Sequence, residues 1–239
     1  MSADTLTEEF KRILTDRSSG STKLLLKFIL YIENRQLSDK QTKELTKIFL
    51  EEYNHFAVIK NSLTDLISGP NFTLQKIKTD ILSASQKILN NVQKQLDTNN
   101  MRILTISNSE TLRFVFSGIR PQQLYIMKSE PGGEGEILQS SIQYETTLIE
   151  DRDVDELIAN NKIDTIFCGC DSYSEGTWFV NKVKTREIGI SAFNHGIPVF
   201  ILTSRLKEAK VAEIDDSGLL EMIPWQLNFY LITDQDGAP

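Results

Sequence analysis

The residue types with the clearest chemical potential fall in one stretch, GCDSYSEGTWFVNKVKTREIG, at positions 169–189. Asp171 follows an apolar run with the character of a strand, and Asn181 and Lys182 precede a run with helical character. A carboxylate at the end of a buried strand needs partners or a raised pKa, which suits general acid–base chemistry but also suits capping of the following turn. Lys182 could bind a phosphate at the start of that helix, whereas a single loop lysine is more often only exposed. The acid and the Asn–Lys pair together favour a functional site.

Two further loops follow apolar runs. Ser107, Asn108 and Ser109 lie where the run RILTI gives way to a helix-like segment, and free backbone N–H groups at such a junction attract an anion. A plain N-cap role for Ser109 fits the same residues, so the local pattern leaves both interpretations open. The loop KSEPGGEGE (128–136) is predicted to be structural, because it is acidic and its glycine spacing is wrong for a dinucleotide fingerprint.

The elements that must position these loops differ between the two halves of the chain. Residues 1–97 are predicted to form a helical domain, because apolar residues recur there at three- and four-residue spacing. Ser21 and Ser38 are predicted N-caps, and SGPN (68–71) is a predicted break. The helical segments are LTEEFKRIL, STKLLLKFILYIENR, DKQTKELTKIFLEEYNHFAVI and TLQKIKTDILSASQKILNNVQKQL.

Residues 98–239 are predicted to form a Rossmann-like α/β domain. The short apolar runs RILTI, QLYIM, TTLI, IDTIFC, IPVFIL and YLIT are mostly separated by helix-like stretches, which indicates a mainly parallel sheet with helices on both faces. The segment 174–185 is predicted to be a hairpin that leads into a helix beginning near Thr185. Ligands lie beyond the carboxyl ends of such strands, so the positions of interest are 107–110, 128–135, 150–153, 169–172 and 203–207.

The bulk composition excludes several classes of protein. The 239 residues are 40% hydrophobic with a net charge of −7, which is typical of a globular protein and lacks the basic surface that nucleic-acid binding needs. No apolar run reaches the roughly 18–20 residues that span a bilayer, and the first residues lack signal-peptide character. We therefore expect a cytoplasmic protein without direct nucleic-acid or membrane contact. Cys168 and Cys170 are expected to be reduced and packed, and we expect no metal and no cofactor.

The second half of the chain resembles the initiation factor 2B family, most strongly over 101–234. The segments ILTISNSETL, SEPGGEGEIL, TTLIEDRDVDELI, DTIFCGCDSYSEGTWFVNKVKTREIGISAFNHGIPVFIL and YLITDQDG occur in that family's order. The family contains the alpha, beta and delta regulatory subunits of eukaryotic translation initiation factor 2B. It also contains the isomerases of methylthioribose 1-phosphate and ribose 1,5-bisphosphate. The resemblance implies a helical domain followed by a Rossmann-like domain, with homodimers formed mainly through the latter.

The resemblance also implies roles for individual residues. The catalytic carboxylate of the isomerases falls on Asp171, and their Asn–Lys phosphate contact falls on Asn181 and Lys182. Their catalytic cysteine position holds Ser107, and their phosphate-binding arginine position holds Glu130. A serine hydroxyl is a far poorer acid or base near neutral pH than a thiol, and a glutamate repels the anion that an arginine would clamp.

The segment DRSSGSTKLLLKFI resembles the family's first phosphate-contacting helix start. It adds Arg17, Gly20 and Ser21 to the expected ligand-binding residues, which already include Ser107, Asn108, Ser109, Asn181 and Lys182. We predict a regulatory-subunit-like protein without catalysis that binds a phosphorylated sugar, a nucleotide or a protein partner. The alternatives are a sugar-phosphate aldose–ketose isomerase of altered substrate, with Asp171 and Ser107 as catalytic residues, and a purely structural homodimer.

Overall fold

The computed structural model describes residues 6–17, 19–35, 37–68, 73–226 and 228–235. The first half of the chain is helical, as the apolar spacing predicts. Its helices are α1 (Glu8–Leu14), α2 (Ser21–Glu33), α3 (Asp39–Glu52), α4 (Ala57–Ser68) and α5 (Leu74–Gln95). Most of the predicted break at 68–71 lies outside the described residues.

One of the two predicted N-caps is confirmed and the other is wrong. Ser38 caps α3 through a capping box, in which Ser38 and Gln41 exchange side-chain and backbone hydrogen bonds. The N-cap of α2 is Gly20, not Ser21. Ser21 is the first helical residue, and its hydroxyl is engaged instead by a distant carboxylate in the second half of the chain.

The long helical segment predicted over 39–59 is two helices rather than one. Helix α3 ends at Glu52 and α4 begins at Ala57. The break is a tertiary effect, because the buried Tyr53 hydroxyl donates to the carbonyl region at the end of α1, with contacts of 2.8 Å to Ile13 O and 3.0 Å to Leu14 O. Carbonyls at the end of a helix lack an intrahelical N–H partner, and the Tyr53 hydroxyl reaches two of them from the end of α3.

The second half of the chain is built on a six-stranded parallel sheet, which confirms the predicted α/β class with a mainly parallel sheet. Its elements are β1 (Arg102–Ile106), α6 (Glu110–Gly118), β2 (Gln123–Met127), α7 (Glu134–Ser141), β3 (Thr147–Ile149), α8 (Val154–Ala159), β4 (Thr165–Cys168), α9 (Thr185–Asn194), β7 (Val199–Leu202) and β9 (Phe229–Ile232). The strand order is β3-β2-β1-β4-β7-β9, and every neighbouring pair is parallel. This is the Rossmann order, and its switch point lies between β1 and β4.

A small antiparallel sheet is inserted between β4 and α9. The predicted hairpin is present as β5 (Ser172–Ser174) and β6 (Trp178–Lys182). A third strand, β8 (Leu220–Pro224), pairs with β6 and was not predicted. Its pairing runs Asn181 opposite Glu221 and Lys182 opposite Leu220, so β8 fixes the strand that carries the predicted phosphate contact.

Helix α5 packs into two hydrophobic cores. Ile77 and Ile81 belong to the core of the helical half, whereas Ile88, Leu89 and Val92 pack beneath the parallel sheet with α6. The helix therefore fixes the first half of the chain against the second. The division into domains at residue 97 stays a prediction. Within the described residues, no helix combines the length and apolar character that a membrane crossing requires.

Candidate functional site

A cavity of about 210 Å³ lies at the switch point of the sheet. Its walls come from the loops after β1 and β4, the first turn of α2, the end of β6 and the turn between α3 and α4. All the sequence-predicted site residues line it together: Arg17, Gly20, Ser21, Ser107, Asn108, Ser109, Asp171, Asn181 and Lys182. Their role as ligand-binding residues remains a prediction.

The first turn of α2 closes the cavity from the helical half. Gly20 is its N-cap without a side-chain cap, and a Cβ there would lie 3.7 Å from the Asn108 carbonyl oxygen. Ser21 is buried, and its hydroxyl donates to Asp171 Oδ1 at 2.7 Å. The carboxylate after β4 is therefore held by a hydroxyl from the other half of the chain, across 150 positions of sequence.

The loop after β1 is held in an unusual backbone conformation. Ser107 has a φ of 60°, and its N–H donates to Ser129 Oγ at 2.8 Å. Ser109 is the N-cap of α6, because its hydroxyl accepts from the Leu112 N–H at 3.1 Å. Asn108 Oδ1 accepts from Arg113 Nε at 2.6 Å. Ser109 thus has the capping role left open by the sequence and also faces the cavity.

Asp151 ties the neighbouring loops together. Its carboxylate accepts from the N–H groups of Ser129 and Glu130, at 2.8 and 2.9 Å, and from Lys184 Nζ at 2.5 Å. Glu130, at the family's arginine position, is exposed and does not line the cavity. Lys128 also points elsewhere and pairs with Glu150. Neither side chain supplies an anion clamp at the cavity.

Lys182 is already neutralised by the protein itself. Its Nζ donates to Glu134 Oε1 and to the Pro131 carbonyl oxygen, each at 2.7 Å, and the lysine side chain is 5% exposed. Burial raises the pKa of Glu134, and Lys182 offsets part of this shift. Asn181 Nδ2 donates to Thr185 Oγ1 in the first turn of α9. Both residues of the predicted phosphate contact therefore have partners within the chain.

Neither cysteine is a nucleophile of this site. Cys168 and Cys170 are free and buried, as expected. Burial raises the pKa of both thiols, that of Cys170 to about 11, so both are protonated at neutral pH. Among the described residues, no group of three or more His, Cys, Asp or Glu side chains is arranged to hold a metal ion.

Sequence reasoning missed several cavity residues that only the fold brings in. Glu134 comes from the segment 128–136, which the sequence predicts to be a structural loop, and Lys207 follows β7. His55 lies in the unpredicted break between α3 and α4, with its Nε2 3.9 Å from Asp215 Oδ2. The strand-end ranges 128–135 and 203–207 contain Glu134 and Lys207, but His55 and Asp215 carry no local signal.

The cavity can hold a polar ligand, but its chemistry is limited. Asp171 supplies a carboxylate, and Ser107 supplies a hydroxyl where a thiol would be the better acid or base. His55 packs against Phe56 in a tilted arrangement, with ring centroids 4.1 Å apart, and lines the same cavity with Asp215. Charge is balanced around the cavity, where the cations Arg17, Lys23, Lys27, Lys182 and Lys207 face the acids Asp16, Glu110, Glu134, Asp171 and Asp215.

The fold and the site define an α/β protein of Rossmann strand order, with a helical N-terminal half that closes the switch point. The sequence profile of the initiation factor 2 subunit family matches residues 25–235, and the chain belongs to that family. The resemblance inferred from the sequence is thereby confirmed.

Two curated relatives are methylthioribose-1-phosphate isomerases. The protein from Ostreococcus lucimarinus (strain CCE9901) is 27% identical over 44% of this chain and 33% of its own length. The protein from Leishmania infantum is 26% identical over 60% of this chain and 43% of its own length. The chain therefore spans less than half the length of these relatives.

Solved structures show the same fold at low sequence identity. Translation initiation factor eIF-2B from Pyrococcus horikoshii OT3 has a TM-score of 0.77 at 17% identity, over 96% of both chains. The 5-methylthioribose 1-phosphate isomerase from the same organism has a TM-score of 0.67 at 16% identity, over 95% of this chain and 82% of that one. A chain of the tetrameric eIF2B-beta2-delta2 complex from C. thermophilum has a TM-score of 0.63 at 14% identity, over 94% and 87%.

Removing Lys182 alone is expected to destabilise the fold, because the half-buried Glu134 carboxylate would be left without its cation. Lys182→Met should lower the free energy of unfolding by about 3 kcal/mol, measured by urea denaturation at neutral pH. Adding Glu134→Gln should recover more than half of the loss. The control Lys128→Met breaks a more exposed pair and should cost less than about 1 kcal/mol. Equal losses in the single and double variants would show that the two side chains are not coupled.

The pH dependence of stability should contain a contribution from His55. Burial lowers its pKa below 6.5, and Asp215 offsets part of the shift. The unfolded chain therefore binds this proton more tightly, so the free energy of unfolding should rise with pH in the range just below 6.5. His55→Gln should flatten that rise in denaturation series, whereas His195→Gln, which keeps His55, should retain it. A rise of unchanged slope in His55→Gln would assign it to other groups.

Proposed function

We propose that this chain is a non-catalytic, regulatory-subunit-like member of the initiation factor 2 subunit family, and that its cavity binds a small phosphorylated molecule. The main observation in support of a non-catalytic role is the Lys182–Glu134 ion pair. The lysine that the family resemblance assigns to substrate phosphate is buried against a carboxylate of the same chain. A phosphate at that position would have to displace Glu134 or share a cation with it.

The hydroxyl and thiol groups near the cavity support the same proposal. Ser107 stands at the family's catalytic cysteine position, and its hydroxyl does not ionise near neutral pH. The two thiols nearest the site are protonated and packed into the interior. Neither the Ser107 hydroxyl nor the two thiols therefore gives Asp171 a partner of suitable pKa for a proton transfer across the sugar carbons.

The size of the cavity supports a small ligand. Its volume of about 210 Å³ is below the range of roughly 300–1,000 Å³ that holds drug-sized ligands. A sugar phosphate fits this size better than a dinucleotide does. The ligand's anionic group would meet the first turn of α2, where Gly20 leaves backbone N–H groups without a side-chain cap.

A sugar-phosphate isomerase of altered substrate is the second candidate, and Asp171 favours it. Its carboxylate lines the cavity at the position of the family's catalytic acid, held by Ser21 at 2.7 Å. Both curated relatives are named as isomerases of methylthioribose 1-phosphate. The cytoplasmic location expected from the sequence is part of either proposal.

The two candidates differ in turnover. The protein is incubated with methylthioribose 1-phosphate, ribose 1,5-bisphosphate or ribose 5-phosphate, and the reaction is monitored by phosphorus NMR. We expect that no ketose product forms. At least one of these sugar phosphates should raise the Tm, because a ligand that binds only the folded state stabilises it. Ketose formation that is lost in Asp171→Asn would establish the isomerase instead. Neither turnover nor a Tm change with any of these sugars would overturn the small-molecule role.

The predicted homodimer has support in an apolar groove beside α9. Ile190 and Phe193 of α9 are 43% and 47% exposed and line a shallow groove with Trp225 and Phe229. Large apolar side chains grouped in this way mark interaction surfaces. We assign the groove to a second copy of the chain, and the eIF2B-beta2-delta2 complex of similar fold is itself tetrameric.

The dimer should depend on the α9 surface. Wild-type protein is expected to sediment at about twice the 27.2 kDa of one chain, whereas Phe193→Glu should sediment as a monomer because it places a charge in the apolar groove. Leu82→Glu changes an exposed leucine of α5 and serves as the matched control, with the dimer retained. A monomeric wild-type protein at all accessible concentrations would contradict this assignment.

A further inference from the structure

His55 and Asp215 form a polar pair in the wall of the cavity, and the two residues come from different halves of the chain. His55 lies between α3 and α4, and Asp215 lies in the segment between β7 and β8. The imidazole Nε2 is 3.9 Å from Asp215 Oδ2, which is longer than a hydrogen bond. Among the described residues, no protein group makes a hydrogen bond with either ring nitrogen of His55. The imidazole therefore keeps its hydrogen-bonding capacity for the cavity.

The pair is not an ion pair at neutral pH. Burial lowers the pKa of His55 below its ordinary value of 6.5, and Asp215 and Asp171 offset only part of this shift. A neutral imidazole has one N–H donor and one acceptor nitrogen, and the carboxylate beside Nε2 favours the tautomer that holds the proton on that nitrogen. The wall therefore presents a donor and an anionic acceptor side by side.

Each side chain of the pair is held by its own surroundings. The His55 ring packs against Phe56, with ring centroids 4.1 Å apart. Asp215 Oδ1 accepts from the hydroxyl and from the N–H of Ser217, at 2.6 and 3.3 Å. Because Oδ1 is engaged in this way, Oδ2 is the oxygen that approaches His55.

The distance between the two halves of the chain is fixed close to the pair. Lys60 of α4 donates to Glu213 Oε1 at 2.7 Å, two residues before Asp215. Asn61 of the same helix donates to the carbonyl oxygens of Leu206 and Glu208, at 2.8 and 3.0 Å. Since both sides are anchored before a ligand arrives, little ordering remains to be done when one binds.

We propose that His55 and Asp215 together recognise a hydroxyl group of the bound ligand. The hydroxyl oxygen accepts a hydrogen bond from His55 Nε2–H, and the hydroxyl proton is donated to Asp215 Oδ2. A hydroxyl is a donor and an acceptor at one atom, so a single group can bridge the gap of 3.9 Å. This inference rests on the proposed small-molecule role and adds to it the position of the ligand's hydroxyl-bearing end, which lies at the turn between α3 and α4.

Other ligand groups fit the pair less well. The Asp215 carboxylate repels a phosphate or a carboxylate. An ammonium can donate to Asp215, but it has no lone pair that accepts from His55. The pair therefore selects a hydroxyl, and it discriminates against an analogue without that hydroxyl because both protein groups would then lose their partner.

The binding test compares ligands with and without hydroxyl groups. Methylthioribose 1-phosphate, ribose 1,5-bisphosphate and ribose 5-phosphate carry free hydroxyls, whereas inorganic sulfate carries none. The readout is the increase in Tm, with sodium chloride of equal ionic strength as the salt control. His55→Phe keeps an aromatic ring beside Phe56 but removes the donor. It should raise the dissociation constant of each stabilising sugar phosphate about tenfold and leave the response to sulfate unchanged.

The second variant acts from the other half of the chain. Asp215→Ala removes the acceptor and should weaken sugar-phosphate binding to a similar extent, so the test stands even if His55→Phe does not fold. Because one hydroxyl bridges both residues, the double variant should lose little more than either single variant. Asp216→Ala removes an exposed acid from the same turn and should bind like the wild type.

The ring signals of the histidines distinguish direct contact from a merely structural role. The chain has two histidines, and His195 is exposed at the end of α9. A sugar phosphate at saturation should shift the nitrogen-15 NMR signal of His55 Nε2 and leave the ring signals of His195 unchanged. His195→Gln assigns the two sets of signals.

The outcomes separate this inference from the proposed function. If the sugar phosphates stabilise the wild type, His55→Phe and Asp215→Ala equally, or leave the His55 ring signal unmoved, the small-molecule role stands and this inference fails. If no sugar phosphate raises the Tm but unphosphorylated ribose shifts the His55 signal, the pair binds a hydroxyl and the proposed phosphorylated ligand is wrong. A wild-type protein on which neither the sugar phosphates nor ribose has an effect would refute both.

Discussion

The structure depends on one constraint, which is that helix α5 belongs to two hydrophobic cores at once. Its first turns pack among the N-terminal helices and its last turns pack beneath the parallel sheet. A helix of 22 residues is a stiff rod of about 33 Å, so the two halves cannot be positioned independently. The first turn of α2 consequently lies over the switch point of the sheet, and the cavity is the space left between them.

Within that space, electrostatics decides which predicted contact is available. A sequence pattern can place a lysine at the end of a strand, but the neutralisation of that lysine depends on residues brought in by other elements. Lys182 meets Glu134 at the start of α7, whereas among the described residues Lys207 donates to a main-chain carbonyl and has no carboxylate partner. The two buried lysines therefore differ mainly in the partners that the fold supplies to them.

Much of the fold could be predicted because its signals are local. The helical half follows from apolar spacing, the parallel sheet follows from the alternation of strands and helices, and Asp171 follows from the strand-end rule. The failures have tertiary causes. The break at 53–56 is stabilised by contacts of Tyr53 with α1. The Ser21 hydroxyl binds Asp171 instead of capping α2. Strand β8 pairs with the free edge of β6, which the sequence of β8 alone does not reveal. The Lys182–Glu134 pair joins residues 48 positions apart, which no spacing rule connects.

Asp151 links several loops at the rim of the cavity. Its carboxylate accepts hydrogen bonds from the main chain after β2 and from the side chain of Lys184 before α9. Ser129, one of the residues held in this way, in turn accepts a hydrogen bond from the Ser107 N–H after β1. Three loops that are distant in sequence therefore share a single anchor. Loops linked in this way move together rather than one at a time, so their opening is a cooperative, sub-global event. The wall of the cavity that carries the β1 loop is therefore braced by one carboxylate rather than by contacts within each loop.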